Sequence, residues 1–320
     1  MISQKPSLPR PEQQSLQPSQ PQLRLQHPLY SPSVPTDATA QERRWLIAGL
    51  CLLALALLGA VWGTHIANLL QNIWGLQLNA HGHTHLYAHG HPFIDARSFW
   101  QIPNTLDVLS NLPFALGGAW GLRLVYKASF LPGPTRAAAT VFFTGLMLTC
   151  IGSSIYHWAP SPWGLAIDRM GMAVAFAGVL GLAAADKISL RAASITSGAM
   201  LIAAALAIGV NYLAGLVLPW AVVQFGGVAL VLWAAGQSSL AGSLRVRWGL
   251  LIGLYGLAKL LELGDETVYH ATQGWVSGHT LKHVAASLAA LPIIGAIIAV
   301  RDAKIQPAGT LSAQSARSTT

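Results

Sequence analysis

The sequence predicts an all-α fold: a polytopic membrane helix bundle with a seven-helix core and one additional N-terminal transmembrane helix. Three observations predict it. The chain of 320 residues is 53% hydrophobic and 9% charged, with a mean hydropathy of +0.48, whereas soluble domains carry about 25% charged residues. Eight apolar stretches recur along it, most of them near the roughly 20 residues that cross about 30 Å of hydrocarbon. Lys and Arg fall at the ends of these stretches and are not clustered with aromatics, so the formal charge of +8 reads as membrane topology, with no nucleic-acid partner. Backbone groups in lipid must be satisfied within their own segment, which leaves helices as the spanning structure this pattern supports.

In chain order, residues 1–44 form a Pro/Gln-rich tail with too few large apolar residues to offset the entropy of ordering, and are expected to be disordered and cytoplasmic. Residues 45–66 follow Arg43 and Arg44 as an apolar run. A signal peptide has a similar n-region and h-region, but the long tail in front favours an anchor helix. Residues 67–104 are a polar, histidine-rich extracytoplasmic loop, with His81, His83, His85, His89 and His91 close together. That density reads either as loose metal binding or as a polar loop titrating near neutrality. The core, 105–300, divides into apolar segments at 105–126, 136–157, 165–185, 192–211, 216–235, 248–263 and 278–300, the sixth of them short. Residues 301–320 are a second disordered cytoplasmic tail. Cys51 and Cys150 lie inside apolar runs, where they pack as small hydrophobes and imply no disulfide framework.

The basic residues give the orientation, because Lys and Arg concentrate in cytoplasmic connections. Arg43 and Arg44; Arg123, Lys127 and Arg136; Lys187 and Arg191; Arg245 and Arg247; and Arg301 and Lys304 all fall on one side if eight helices cross. The opposite connections hold only Arg97, apart from Arg169 and Lys282 just inside helix ends. Both termini are therefore expected in the cytoplasm, in a plasma (inner) membrane.

Five residues then fall in one leaflet. Ser153 and His157 share a face at the end of the second core segment, and Asp168 follows about one turn into the third. His279 and His283 open the last segment one helical turn apart, the spacing at which two imidazoles converge on one ion. His157, from another helix, would complete a three-histidine set with one position open for water. Ionisable groups inside membrane helices are costly, so a coincident set points to function, while each histidine alone could simply bond a helix carbonyl. Two polar stripes aim at the same leaflet: Asn104, Asp107 and Asn111 with Ser110 beside them, and Tyr255, Lys259 and Glu262. They read either as partners that fix imidazole tautomers or, for Lys259 and Glu262, as an ion pair that neutralises itself.

The run SSIYH at Ser153 to His157, AIDRM around Asp168 and HTLKH at His279 to His283 resemble the alkaline ceramidase family, and DVLSNLPF at Asp107 to Phe114 is similar to the Ser-Asn element of its first core helix. That family belongs to a larger group of seven-helix hydrolases with the adiponectin receptors and haemolysin III-like proteins. The resemblance covers about 200 residues, from Ile102 to Val300. It implies that His157, His279 and His283 hold zinc, that Asp168 orients and deprotonates a water, and that Ser153 stabilises the developing oxyanion. The family's acidic, tryptophan-containing calcium-binding stretch is absent. Only Asp95 supplies a carboxylate near the helix start, which puts calcium dependence in doubt.

The expectation is a zinc-dependent amidase acting on a membrane lipid, a ceramide-like N-acyl chain, with its site toward the extracytoplasmic face. A receptor-like or lipid-binding protein with structural zinc is the alternative. A divalent-cation transporter fits the histidines but needs polar residues across the whole span, which the stripes do not supply. Oligomeric state is not legible.

Overall fold

The computed structural model describes residues 36–74 and 93–305. The readings for residues 1–35, for the loop from His81 to His91 and for the tail beyond 305 lie outside the described residues. Among those described, every regular element is helical: α1 (Thr36–Trp74), α2 (Thr105–Leu109), α3 (Leu112–Tyr126), α4 (Gly133–Trp158), α5 (Pro162–Lys187), α6 (Leu190–Ala214), α7 (Leu218–Ala235), α8 (Trp248–Leu263), α9 (Asp265–Ala271), α10 (Gly278–Ser287) and α11 (Ala290–Ile305). Six spans are long and apolar enough to cross a membrane: Ala38–Ile66 within α1, then α4, α5, α6, α7, and α10 with α11 taken together as Gly278–Lys304.

The eight segments read from hydropathy are all present as helix, but two of the core segments are broken. The first divides into α2 and α3 and the last into α10 and α11. A proline explains each break. Pro113 has no N–H to donate, and its ring collides with the carbonyl four residues back, on Leu109, where α2 ends. Pro292 stands in the same relation to Leu288, the C-cap just after α10. α8 has 16 residues, and Gly264 separates it from α9. At the N-terminus α1 is longer at both ends than the 45–66 segment. Ala, Gln, Glu and Arg before Trp45 are good helix formers that a hydropathy reading passes over.

The site depends on the antiparallel pair α4 and α5. They approach so closely that a Cβ added to Gly171 would lie 2.5 Å from the Thr149 amide nitrogen, so small residues let the backbones touch. Ser161, whose side chain accepts from Gly164 N at 3.0 Å, and Pro162 in the first turn start α5 three residues after α4 ends. The end of α4 is thereby set beside the start of α5. α1 sits at the periphery: Trp45 is buried, stacks on Trp233 at 5.5 Å and donates to Thr196 Oγ1 at 2.8 Å, while Leu50, Leu57, Leu58 and Val61 are exposed as an apolar belt.

The opposite end of α5 carries a buried polar staple. Asp186, 2% exposed, accepts from Arg245 N at 2.9 Å, Trp248 Nε1 at 2.7 Å and the Ser243 hydroxyl. Lys187 Nζ donates to Gln237 O at 2.9 Å and Ser239 Oγ at 3.0 Å, so the α7–α8 connection is fastened to this helix end. Asp186→Ala leaves an indole N–H and a backbone N–H without their acceptor. It is expected to cost about 3 kcal/mol, read as a lower thermal midpoint in detergent, whereas Asp302→Ala, which removes only an exposed pair with Arg301, leaves the midpoint unchanged.

Candidate metal centre

Three imidazoles from two distant stretches of chain meet at the other end of α5. His157 comes from the last turn of α4, and His279 and His283 from the first two turns of α10. All three are buried, and their ring centroids stand 4.8, 5.0 and 4.9 Å apart, close to an equilateral triangle. One nitrogen from each lies within 4.8 Å of the others, an arrangement able to hold a metal ion. His157 Nε2 and His279 Nε2 are separated by 3.2 Å. Two nitrogens each about 2.0–2.1 Å from a tetrahedral ion would stand about 3.3 Å apart, so the residues fit a zinc-sized ion. An N–H···N bond would span the same gap between two rings; the third ring beside them is what favours an ion.

The surroundings fix how each ring is presented. Ser110 Oγ donates its only proton to Asp107 O at 3.0 Å and stands 2.8 Å from His283 Nδ1. With that proton committed, His283 Nδ1 has to be the donor to Ser110, which leaves the Nε2 lone pair for a ligand bond. Ser110 reaches this position because the helix breaks there, between α2 and α3. Asn104, at φ 46°, donates from Nδ2 to His157 O at 2.7 Å and satisfies a carbonyl that the end of α4 leaves open. Asn111 donates to Asp107 O at 2.9 Å, which holds the turn.

At α10 the same accounting applies to the open N–H groups of a helix start. Ser277 Oγ accepts from Thr280 N at 3.0 Å, and Asp265 Oδ1 accepts from His279 N at 2.7 Å. A Cβ on Gly278 would lie 2.8 Å from Asp265 Cα, so this glycine permits the approach that puts His279 in place. Thr280 Oγ1 donates to Asp107 Oδ1 at 2.6 Å, tying α10 to α2 directly. Phe93, 1% exposed, lies 4.5 Å from the His157 ring and 5.4 Å from the His279 ring and covers both. Nearby, Arg97 engages both oxygens of Asp95 at 2.8 and 2.7 Å, and this hydrogen bonding raises the guanidinium above its ordinary value.

Ser153 and Asp168 are buried, and the Ser153 hydroxyl is within reach of the Asp168 carboxylate. With His283 they line a cavity of about 320 Å³ whose wall also carries Arg169, Lys259, Glu262 and Lys282. A second, apolar cavity of about 170 Å³ shares Phe114, Thr149, Met172, Trp220 and Tyr255 with it and continues inward past Phe142, Phe176 and Val231.

The two stripes thus play different parts. Ser110 orients an imidazole, and Asp107 and Asn111 support it. Lys259 instead pairs with Glu262 at 2.6 Å and Tyr255 accepts from Gln224 at 3.2 Å, which is the ion-pair reading of that stripe with a third member, Lys282, at 2.8 Å from Glu262. Sequence reasoning did not single out Phe93, Asp265, Thr280, Arg169 or Lys282. Lys282 stands between the two histidines of HTLKH and Arg169 follows Asp168, a signal that was present but was read as topology. No family model, curated protein or solved structure matches the chain.

Proposed function

We propose that the protein is a zinc-dependent membrane amidase that hydrolyses ceramide-like N-acyl lipids to a fatty acid and a long-chain amine. The observation that carries this reading is the convergence of His157, His279 and His283, the last of which lines one cavity with the buried Ser153 and Asp168, next to an apolar cavity that shares part of its wall. The resemblance to the alkaline ceramidases, which rests on the residues alone, points the same way. Two short or broken segments, α2 with α3 and α8, complete the crossings to eight. The break between α2 and α3 is buried at Ser110 and Asn111, the kind of place where lipid tolerates irregular backbone, and α8 is short but unbroken. In this reading both termini face the cytoplasm of a plasma membrane and the site opens toward the extracytoplasmic leaflet, which the Lys and Arg distribution supports.

Zinc held by three neutral imidazoles would supply a polarised amide carbonyl and a water acidic enough to react near neutrality. Asp168 takes a proton from the attacking water as the C–O bond forms, and returns it to the amide nitrogen as the C–N bond breaks. Ser153, within reach of Asp168, holds the ionised carboxylate in the resting site; once Asp168 has taken the proton of the water, the Ser153 hydroxyl is released to turn to the oxygen on which negative charge develops. Phe93 covers two of the imidazoles and excludes bulk water from them. The apolar cavity takes the acyl chain.

The test is purified protein given a fluorescent ceramide with and without chelator. Fatty acid release that stops with chelation and returns with added zinc is the expected result. Stoichiometric zinc with no turnover of any N-acyl lipid would instead leave the metal structural and the protein a lipid-binding one.

A further inference from the structure

The wall of the cavity beside His283 carries more positive than negative charge. Lys259 Nζ and Lys282 Nζ share one carboxylate, Glu262, at 2.6 and 2.8 Å. Arg169 is buried on the facing helix α5, where its guanidinium meets the Asn211 side-chain carbonyl and forms no salt bridge among the described residues. Asp168 is the other carboxylate in the wall, so three cations face two anions. A half-buried ammonium beyond what its partners neutralise is costly inside a membrane protein, and such residues face a ligand or a water-filled path. Arg169 and Lys282 are also, with Arg97, exceptions to the otherwise one-sided distribution of basic residues.

The cations have a definite place relative to the chemistry. α8 runs toward the metal end of the bundle, so Glu262 and Lys259 lie nearer that end than Tyr255, which borders the apolar cavity. α10 runs the other way, from Lys282 and His283 inward to Ala286. Along α8 Glu262 and Lys259 lie outward of Tyr255 and the apolar cavity; along α10 Lys282 stands between the ligands His279 and His283, with Ala286 further in; and on α5 Arg169 follows Asp168. A lipid with its tail in the apolar cavity and its amide beside His283 therefore has Lys282 and Lys259 beside its head group and Arg169 across the same cavity.

We infer that this cavity selects N-acyl lipids whose head group carries an anion, a carboxylate or phosphate within a few bonds of the amide nitrogen, and that Lys282, Lys259 and Arg169 bind that anion. The inference rests on the amidase reading for the position of the amide, but the recognition itself is a binding event that needs no turnover. Glu262 then acts as a stand-in for the ligand: it holds the two ammoniums apart and in place, and yields part of its hold when the head group arrives.

The experiment measures binding of N-oleoylglycine, N-oleoylethanolamine and oleate to the purified full-length protein in nanodiscs, with chelator present so that nothing is hydrolysed. Tryptophan fluorescence is the readout, since Trp220 lines both cavities. N-oleoylglycine is expected to bind at least tenfold more tightly than its neutral counterpart. Lys282→Met is expected to erase most of that difference while leaving N-oleoylethanolamine affinity unchanged. Glu262→Gln is expected to tighten N-oleoylglycine severalfold, a gain that a role in folding alone would not produce. Equal affinity for the charged and neutral amides overturns the inference. So does oleate bound as tightly as N-oleoylglycine with the same dependence on Lys282, which would put the acyl carboxylate and not the head group among the cations. Competition by glycine or inorganic phosphate as strong as that by the lipid also overturns it, because the site would then serve a free small anion. Selective binding of N-oleoylglycine with zinc-dependent hydrolysis of neither it nor a ceramide would sink the amidase reading and leave this one standing.

Discussion

Alanine in place of any one of His157, His279 or His283 is expected to lower zinc affinity by about a hundred- to a thousandfold, so that metal analysis of the washed protein falls from one zinc per chain to a small fraction of that. The magnitude follows from the size of protein–zinc binding energies: about 10–16 kcal/mol for a site of four ligands is about 2.5–4 kcal/mol for each. The three losses are expected to be alike, because the rings stand at nearly equal separations and are equally enclosed. Ser110→Ala sets an intermediate expectation. It removes the acceptor that holds His283 Nδ1–H and directs Nε2 inward, a change of the kind that costs about tenfold to a hundredfold in metal affinity. If full zinc occupancy survived in each of the three alanine variants, the metal would lie elsewhere and the centre described here would not be one.

The fold was legible wherever burial in lipid dictates composition. Long apolar runs bounded by Lys and Arg mark α4 to α7 because a span has few other ways to be built, and their ends agree with the structure to within a few residues at most termini. Hydropathy is blind to two other things. It does not register a proline inside an apolar run, so Pro113 and Pro292 break helices that read as continuous. Nor does it register helix that continues into water, so α1 extends beyond its apolar part at both ends.

The site was legible to the extent that helical spacing places side chains on one face. His279 and His283 converge because they are one turn apart, and topology alone put His157 and Asp168 at the same end. What spacing could not supply was contact between elements. The bonds from Asp107 to Thr280 and from Ser110 to His283 each join residues 173 positions apart. The cover provided by Phe93 depends on the path of the segment before α2, for which neither periodicity nor charge offers a rule. The charged wall was hidden for another reason. Lys282 and Arg169 were read as exceptions to a topological rule, when a basic residue on the wrong side of a membrane is itself a sign of a ligand or a cavity.

Asp168→Asn is expected to reduce turnover of an N-acyl lipid by about a hundredfold to ten-thousandfold, the range that a positioned general base contributes, while zinc content stays at one per chain. The substitution is chosen because it preserves shape. An asparagine carbonyl still accepts from the Ser153 hydroxyl, so the wall of the cavity and the α4–α5 contact remain as they are. What is lost is the ability to take a proton from water and pass it to the departing nitrogen. Retained zinc distinguishes this outcome from loss of the metal centre, and an unchanged thermal midpoint distinguishes it from unfolding. If Asp168→Asn hydrolysed its substrate at the full rate, the base would have to be another group in the same cavity. Glu262 is the only other carboxylate there, but its two oxygens are each held by a lysine, at 2.6 and 2.8 Å. A carboxylate so engaged is a poor proton acceptor, because taking up a proton would weaken both charge-assisted bonds. By comparison Asp168 forms no ion pair among the described residues: Lys282 and Arg169 act on it only through space, and the neutral Ser153 hydroxyl is within its reach. The chemical assignment therefore rests on this difference between two carboxylates in one cavity, and the pair of variants Asp168→Asn and Glu262→Gln reads it directly: the first loses the reaction, and the second keeps it.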